Sequence, residues 1–163
     1  MVFDKRFARG HVSGRFVGET IMNAPILAPA AVLVLWTLIM LFWMAGTRVP
    51  VLSKMDMSAS PPGGRGIDLE PVLPTSSNWK SHNYTHLVEQ PTIFYAAVVI
   101  LALAGAGTGI NVTFAWAYVG IRIVHSLWQA LVNTIPLRFG LFLLSTICLT
   151  VLAVNAVRVT LGA

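Results

Sequence analysis

Arg122 stands inside residues 113–135, a run that carries no other charge and is long enough to cross a bilayer. A charge near the centre of a spanning helix costs roughly 2.5–3.5 kcal/mol on insertion scales, so such a residue marks a functional site and needs a partner. Glu89 is the one acid inside or at the edge of any apolar run, which makes it the expected partner. Polar residues gather around both charges at helical spacing. His82, His86 and Glu89 are spaced i, i+4, i+7, with Asn83 at the edge of that stripe. Arg122, His125 and Gln129 are spaced i, i+3, i+7, with Asn133 one turn further, and Arg138 follows shortly after. Two facing stripes of this kind can build a polar site between helices, or hold the helices together. Each member also has a plainer role. His125 can donate to a backbone carbonyl, Gln129 and Asn133 can form interhelical hydrogen bonds, and Arg138 can anchor a helix at the interface. A structural Glu89–Arg122 ion pair is the plainer role of the two charges. His82 and His86 have metal-ligand spacing but no third ligand of matching geometry, so no metal site is expected. Two arginines at one mouth exceed what helix glue requires.

The elements that must position these groups follow from hydropathy. The chain is 56% hydrophobic with only 10% charged residues, against about 25% charged in a soluble domain. A span needs about 20 apolar residues, and four runs qualify: residues 24–46, 85–104, 113–135 and 139–157. Pro25 and Pro29 lie in the first turns of the first run, where proline is best tolerated. That run follows Lys5, Arg6, Arg9 and Arg15 and is too long for the apolar part of a signal peptide, so it reads as an uncleaved helix. Three glycines in Gly105-Ala-Gly-Thr-Gly-Ile-Asn111 mark a turn, and Pro136-Leu-Arg138 marks another. Short connections make the last three spans antiparallel neighbours. The expectation is an all-α, multi-pass integral membrane protein, in the inner membrane if the source is bacterial. Its segments are a basic N-terminal stretch (1–23), a first helix (24–47), a flexible extramembrane loop (48–82) rich in proline, glycine and serine, and a three-helix core (83–158).

The net charge of +5 comes without a continuous basic run, which speaks against nucleic acid. Cations instead flank the apolar runs, where they meet anionic headgroups. Lys5, Arg6, Arg9, Arg15 and Arg158 fall on one side and Arg48, Lys54, Arg65, Lys80 and Arg138 on the other, so the positive-inside rule is balanced. Cys148 is the only cysteine, which excludes an intrachain disulfide.

Two blocks of this sequence resemble the family of membrane-associated proteins in eicosanoid and glutathione metabolism, over roughly residues 83–153. The first is Asn83-Tyr-Thr-His86-Leu-Val-Glu89-Gln-Pro91-Thr-Ile-Phe94, and the second is Ala115-Trp-Ala-Tyr118-Val-Gly-Ile-Arg122-Ile-Val-His125 followed by Asn133 and Arg138. The pattern looks closest to a bacterial-type branch, away from the leukotriene and prostaglandin synthases.

The resemblance implies a homotrimer of four-helix protomers with glutathione bound as co-substrate between subunits. Asn83, His86, Glu89, Arg122, His125 and Gln129 would then hold the tripeptide, and Arg138 would be the catalytic residue that stabilises its thiolate. Glu89 would take the glutathione amino group or pair with Arg122. The sequence departs from the family at three places. His82 stands where many active members have arginine, His86 where they have asparagine, and Gln129 where a tyrosine is frequent. Three functions fit. The first is a membrane glutathione transferase or peroxidase acting on lipophilic electrophiles. The second is a non-enzymatic lipid-binding or scaffold member of the same family, and the third is a small transporter using Glu89 and Arg122 as a relay. Membrane lipid, a lipophilic small molecule and further copies of the chain are the expected partners.

Overall fold

The computed structural model describes residues 24–55 and 65–162, which are entirely helical or connecting, with no strand among them. The helices are α1 (Leu27–Leu52), α2 (Thr75–Leu103), α3 (Ile110–Leu131) and α4 (Ile135–Leu161), with a 3-10 turn, Gly66–Leu69, before α2. The basic segment at 1–23 and part of the long loop, 56–64, lie outside the described residues. At 1.5 Å per residue, each helix exceeds the roughly 30 Å of the hydrocarbon core. The fold is an all-α bundle of a multi-pass membrane protein.

By length and apolarity together, α1, α2 and α4 qualify as membrane spans. The fourth expected crossing, α3, has the length but not the composition, because Asn111, Arg122, His125 and Gln129 all lie on it. All four are buried, so the polar face of α3 is turned into the bundle. Val124 and Trp116 are left on its outer surface. Its connections are short at both ends, so α3 must run back across between α2 and α4.

Two turns set this path. Gly105 and Gly109 have φ of 72° and 57°, a region costly for other L-residues, and they reverse the chain after α2. Asn133, with φ of 59°, plays the same part after α3. Asparagine tolerates this left-handed conformation better than most, and its N–H donates to the Trp128 carbonyl at 2.8 Å. Pro136 then falls in the first turn of α4, where its missing N–H costs nothing.

The two central helices, α2 and α3, each pack on α1 and on α4. Phe94 and Tyr118 stack between them with ring centroids 4.4 Å apart, an arrangement worth about 0.5–1.5 kcal/mol beyond area burial. The Tyr118 hydroxyl donates to Gln90 Oε1 at 3.4 Å, and Gln90 Nε2 donates to Thr146 Oγ1 at 2.8 Å, linking α3, α2 and α4. Large apolar side chains such as Phe42, Leu35 and Leu103 face outward, as expected where lipid is the solvent.

The expected flexible loop at 48–82 is shorter and more structured than its composition suggests. Helix α1 continues to Leu52 and α2 begins at Thr75, ten residues before the expected span. The stretch before α2 is tied down by hydrogen bonds as well as by apolar burial. Asn78 Nδ2 donates to the Glu70 carbonyl at 2.8 Å and Arg48 Nη2 donates to Asn78 Oδ1 at 3.3 Å. His82 Nε2 and Glu70 Oε1 lie 2.8 Å apart. Only Leu73 of this stretch enters the core.

At the opposite end, the Ile26 N–H donates to the Gly107 carbonyl at 3.2 Å, docking the start of α1 on the α2–α3 turn. A Cβ on Gly107 would lie 2.9 Å from Ile26 Cγ2 and 3.2 Å from Ala24 Cβ, whereas one on Gly120 would meet nothing. Gly107→Ala should therefore cost about 1–3 kcal/mol through overpacking, seen as a lower thermal midpoint in detergent. Gly120→Ala should be neutral or mildly stabilising, since alanine is favoured over glycine in a helix interior.

Candidate functional site at one mouth of the bundle

The start of α2, the end of α3 and the start of α4 meet at one end of the bundle, and a cavity of about 190 Å³ opens there. It is lined by His86 of α2, His125 of α3, and Ile135, Arg138, Phe139 and Phe142 of α4. His86 and His125 stack with ring centroids 6.1 Å apart and planes 27° from parallel. Arg138 donates through Nη1 to Asn133 Oδ1, so the asparagine that makes the turn also orients the arginine. Ile135 and Phe139 are 71% and 64% exposed, which leaves the apolar wall continuous with the outer surface of α4. Polar groups on one wall and a lipid-facing opening on the other suit a reaction between a polar ligand and an apolar one.

Arg122, one turn before His125, does not line this cavity and has no exposed surface. Its Nη2 donates to the His86 carbonyl at 2.6 Å. Pro91, inside α2, leaves the Leu87 carbonyl without its helical N–H donor, so the turn that Arg122 grips is short of one backbone bond. The guanidinium thus fixes the backbone that carries the His86 ring. Its Nε and Nη1 have no hydrogen-bond partner among the described residues.

The expected Glu89–Arg122 ion pair does not form within the chain. Glu89 is exposed. The reason is the rotation of α2, whose buried stripe is Asn83, Leu87, Pro91, Phe94 and Val98. Glu89 follows Leu87 by two residues, which turns it about 200° away at 3.6 residues per turn.

The remaining expected residues divide between the cavity and the interior. Asn83 and Gln129 are fully buried but do not line the cavity. Asn83 Nδ2 donates to Ser126 Oγ at 2.8 Å, and Trp36 Nε1 of α1 donates to the same oxygen at 3.1 Å. This three-helix junction is interhelical glue. Among the described residues, no group of three or more histidine, cysteine, aspartate or glutamate side chains is placed to hold a metal.

A family model matches residues 26–158, from the start of α1 to the last turns of α4. The chain belongs to the MAPEG family. Comparison with curated proteins and with solved structures gave no match. Membership places the chain among membrane proteins of glutathione and eicosanoid metabolism, whose members generally use glutathione. The matched region contains every cavity-lining residue, so the MAPEG fold and the candidate site coincide.

Within this MAPEG bundle, sequence reasoning missed Ser126, Trp36, Phe139 and Phe142. Ser126 had a usable signal, a small hydroxyl one turn after Arg122 on the same polar face. Ser126→Ala would strand the buried Asn83 Nδ2–H and the half-buried Trp36 Nε1–H. The expected loss is about 1–2 kcal/mol, between the values for stranded groups in soluble proteins and interhelical bonds in membranes. Thermal unfolding in detergent measures it. Ser145→Ala is the control, since Ser145 only bonds the Phe142 carbonyl of its own helix.

Proposed function

We propose that this protein is a membrane glutathione transferase, joining the glutathione sulfur to lipophilic electrophiles or using it to reduce lipid peroxides, and working as a homotrimer. The observation that carries this reading is the cavity in which Arg138 and two imidazoles face the lipid-exposed wall of α4. The donor set fits the tripeptide. Behind the cavity lining, Arg122 Nε and Nη1 are buried donors without acceptors among the described residues, and a ligand carboxylate reaching them past His86 would complement the guanidinium fork. Glutathione would supply the nucleophilic sulfur. A cavity of about 190 Å³ is smaller than the 300–1,000 Å³ typical of sites that enclose a drug-sized ligand. The single protomer therefore offers room for the thiol end of the peptide, and an adjoining copy would complete the site. The outward carboxylate of Glu89 is available to such a neighbour's ligand.

Arg138 is assigned the catalytic role. A free thiol has a pKa near 8.5, and an adjacent cation lowers it, raising the fraction of nucleophile at neutral pH. Asn133 holds the guanidinium in place. Arg122 fixes the backbone that carries His86, and the cavity brings sulfur and electrophile together.

A lipid-binding or scaffold role is the second reading. It is favoured by His82, which occupies the position of a family arginine and is engaged by Glu70 at 2.8 Å. Titrating detergent-purified protein with glutathione separates the two. Thiolate absorbance in the ultraviolet with calorimetric binding at millimolar glutathione supports the transferase. Absence of both leaves the scaffold.

A further inference from the structure

We infer that His86 takes the proton from the bound thiol and returns it to the product, which suits this site to α,β-unsaturated carbonyl acceptors. This rests on the transferase reading above. Three observations lead to it. His86 and His125 line the same small cavity as Arg138. His82 is the only histidine ring among the described residues that is engaged in a hydrogen bond or ion pair, so the two cavity rings keep their nitrogens free for a ligand. Arg122 and His125 hold His86 from two sides, through the bond to its carbonyl and through ring stacking.

The proton balance shows why the acceptor class matters. The S–H bond breaks, its proton goes to a neutral His86 nitrogen, and the sulfur keeps the electron pair beside the Arg138 cation. The sulfur then forms a C–S bond at the β-carbon of an enone. The electron pair of the C=C bond moves into the carbonyl system as an enolate, and protonated His86 delivers its proton to the α-carbon. Nothing leaves, no oxidant or reductant is consumed, and His86 ends neutral. Displacement of chloride from chlorodinitrobenzene differs at the last step. Chloride carries off the electron pair, and the proton has no place on the product. A proton carrier held in the cavity therefore accelerates addition more than displacement. His125, 2% exposed, forms the inner wall behind His86 and is the positioning residue.

The test compares the full-length wild type with His86→Asn, which keeps a hydrogen-bonding amide but cannot carry a proton. Two measurements are made in detergent. The first mixes protein and glutathione in weak buffer with a pH indicator and follows thiolate absorbance and proton release together. The second compares turnover of octyl vinyl ketone with that of chlorodinitrobenzene. The wild type should form thiolate without matching proton release, and His86→Asn should release a proton for each thiolate formed. The ketone-to-chlorodinitrobenzene turnover ratio should fall about tenfold or more in the variant, at the low end of the range for general acid–base catalysis. Proton release in step with thiolate in the wild type, or an unchanged ratio in the variant, overturns the role of His86 while leaving the transferase intact. A wild type that forms no thiolate overturns the transferase reading, and this inference with it.

Discussion

Arg138→Ala should leave the bundle folded and lower turnover with chlorodinitrobenzene at least about tenfold, a barrier increase of ~1.4 kcal/mol. The two halves of that expectation have separate causes. Arg138 lies in the first turn of α4, half-buried, and its hydrogen bond goes to Asn133 in the adjoining turn. Removing it strands no buried charge, and Asn133 keeps the backbone bond from its N–H to the Trp128 carbonyl. The turn therefore survives. What disappears is the cation in the cavity, so the thiolate fraction at neutral pH should fall together with turnover. Arg138→Lys should restore only part of the loss, because an ammonium is a point charge without the planar fork. Asn133→Gly supplies a second handle. Glycine accepts the left-handed backbone at that position but has no side-chain oxygen to hold the guanidinium. It should weaken turnover less than Arg138→Ala while melting close to wild type. If Arg138→Ala retains full turnover against an active wild type, Arg138 is a membrane anchor and the proposed chemistry loses its cation.

The sequence carried the helices and the mouth of the site, but not the rotation of the helices about their own axes. Apolar runs bounded by glycine and proline locate α2, α3 and α4 because lipid forces each run into a helix of near-fixed length. Spacing alone also brings His86, His125 and Arg138 to one end, since short turns leave α3 and α4 no other arrangement. Glu89 shows where that reasoning stops. The i, i+4, i+7 stripe of His82, His86 and Glu89 is real, yet it lies on the flank of α2. The inward face is chosen by the packing of Leu87, Phe94 and Val98 against other helices, and neither polar spacing nor hydropathy encodes that choice. The stretch from Gly66 to Leu73 failed for another reason. Its order comes from side chains outside it, Asn78 on α2, which bonds the Glu70 carbonyl, and Arg48 on α1, which holds Asn78, and composition does not report such contacts.

Arg122→Met should be about as stable as wild type without glutathione, while losing the stabilisation that glutathione confers. A buried guanidinium whose Nε and Nη1 have no partner among the described residues is an electrostatic cost to the bundle by itself. Its bond to the His86 carbonyl meets only part of its hydrogen-bonding capacity. Replacing buried ionic groups by apolar ones of similar volume is often neutral, or stabilising by about 1–4 kcal/mol, and methionine adapts well to irregular space. The opposing term is the lost hold on α2 near Pro91, a single hydrogen bond worth about 1.5–3 kcal/mol when the donor is charged. The two nearly cancel, so the midpoint should not fall by much. With glutathione the outcome reverses. A ligand at about a hundred times its Kd stabilises the wild type by ~2.7 kcal/mol, and that increment should vanish in Arg122→Met because the ligand carboxylate loses its partner. Glu89→Gln provides the contrast. Glu89 is exposed within the protomer, so its neutralisation should leave the ligand-free midpoint unchanged. Thermal unfolding of the wild type, the two single variants and the double variant in detergent, with and without glutathione, decides the matter. Losses of about 3–5 kcal/mol in both single variants without ligand, and no further loss when they are combined, would show a buried ion pair. Arg122 would then be matched by Glu89 from a neighbouring copy, and its free donors would no longer argue for a bound carboxylate.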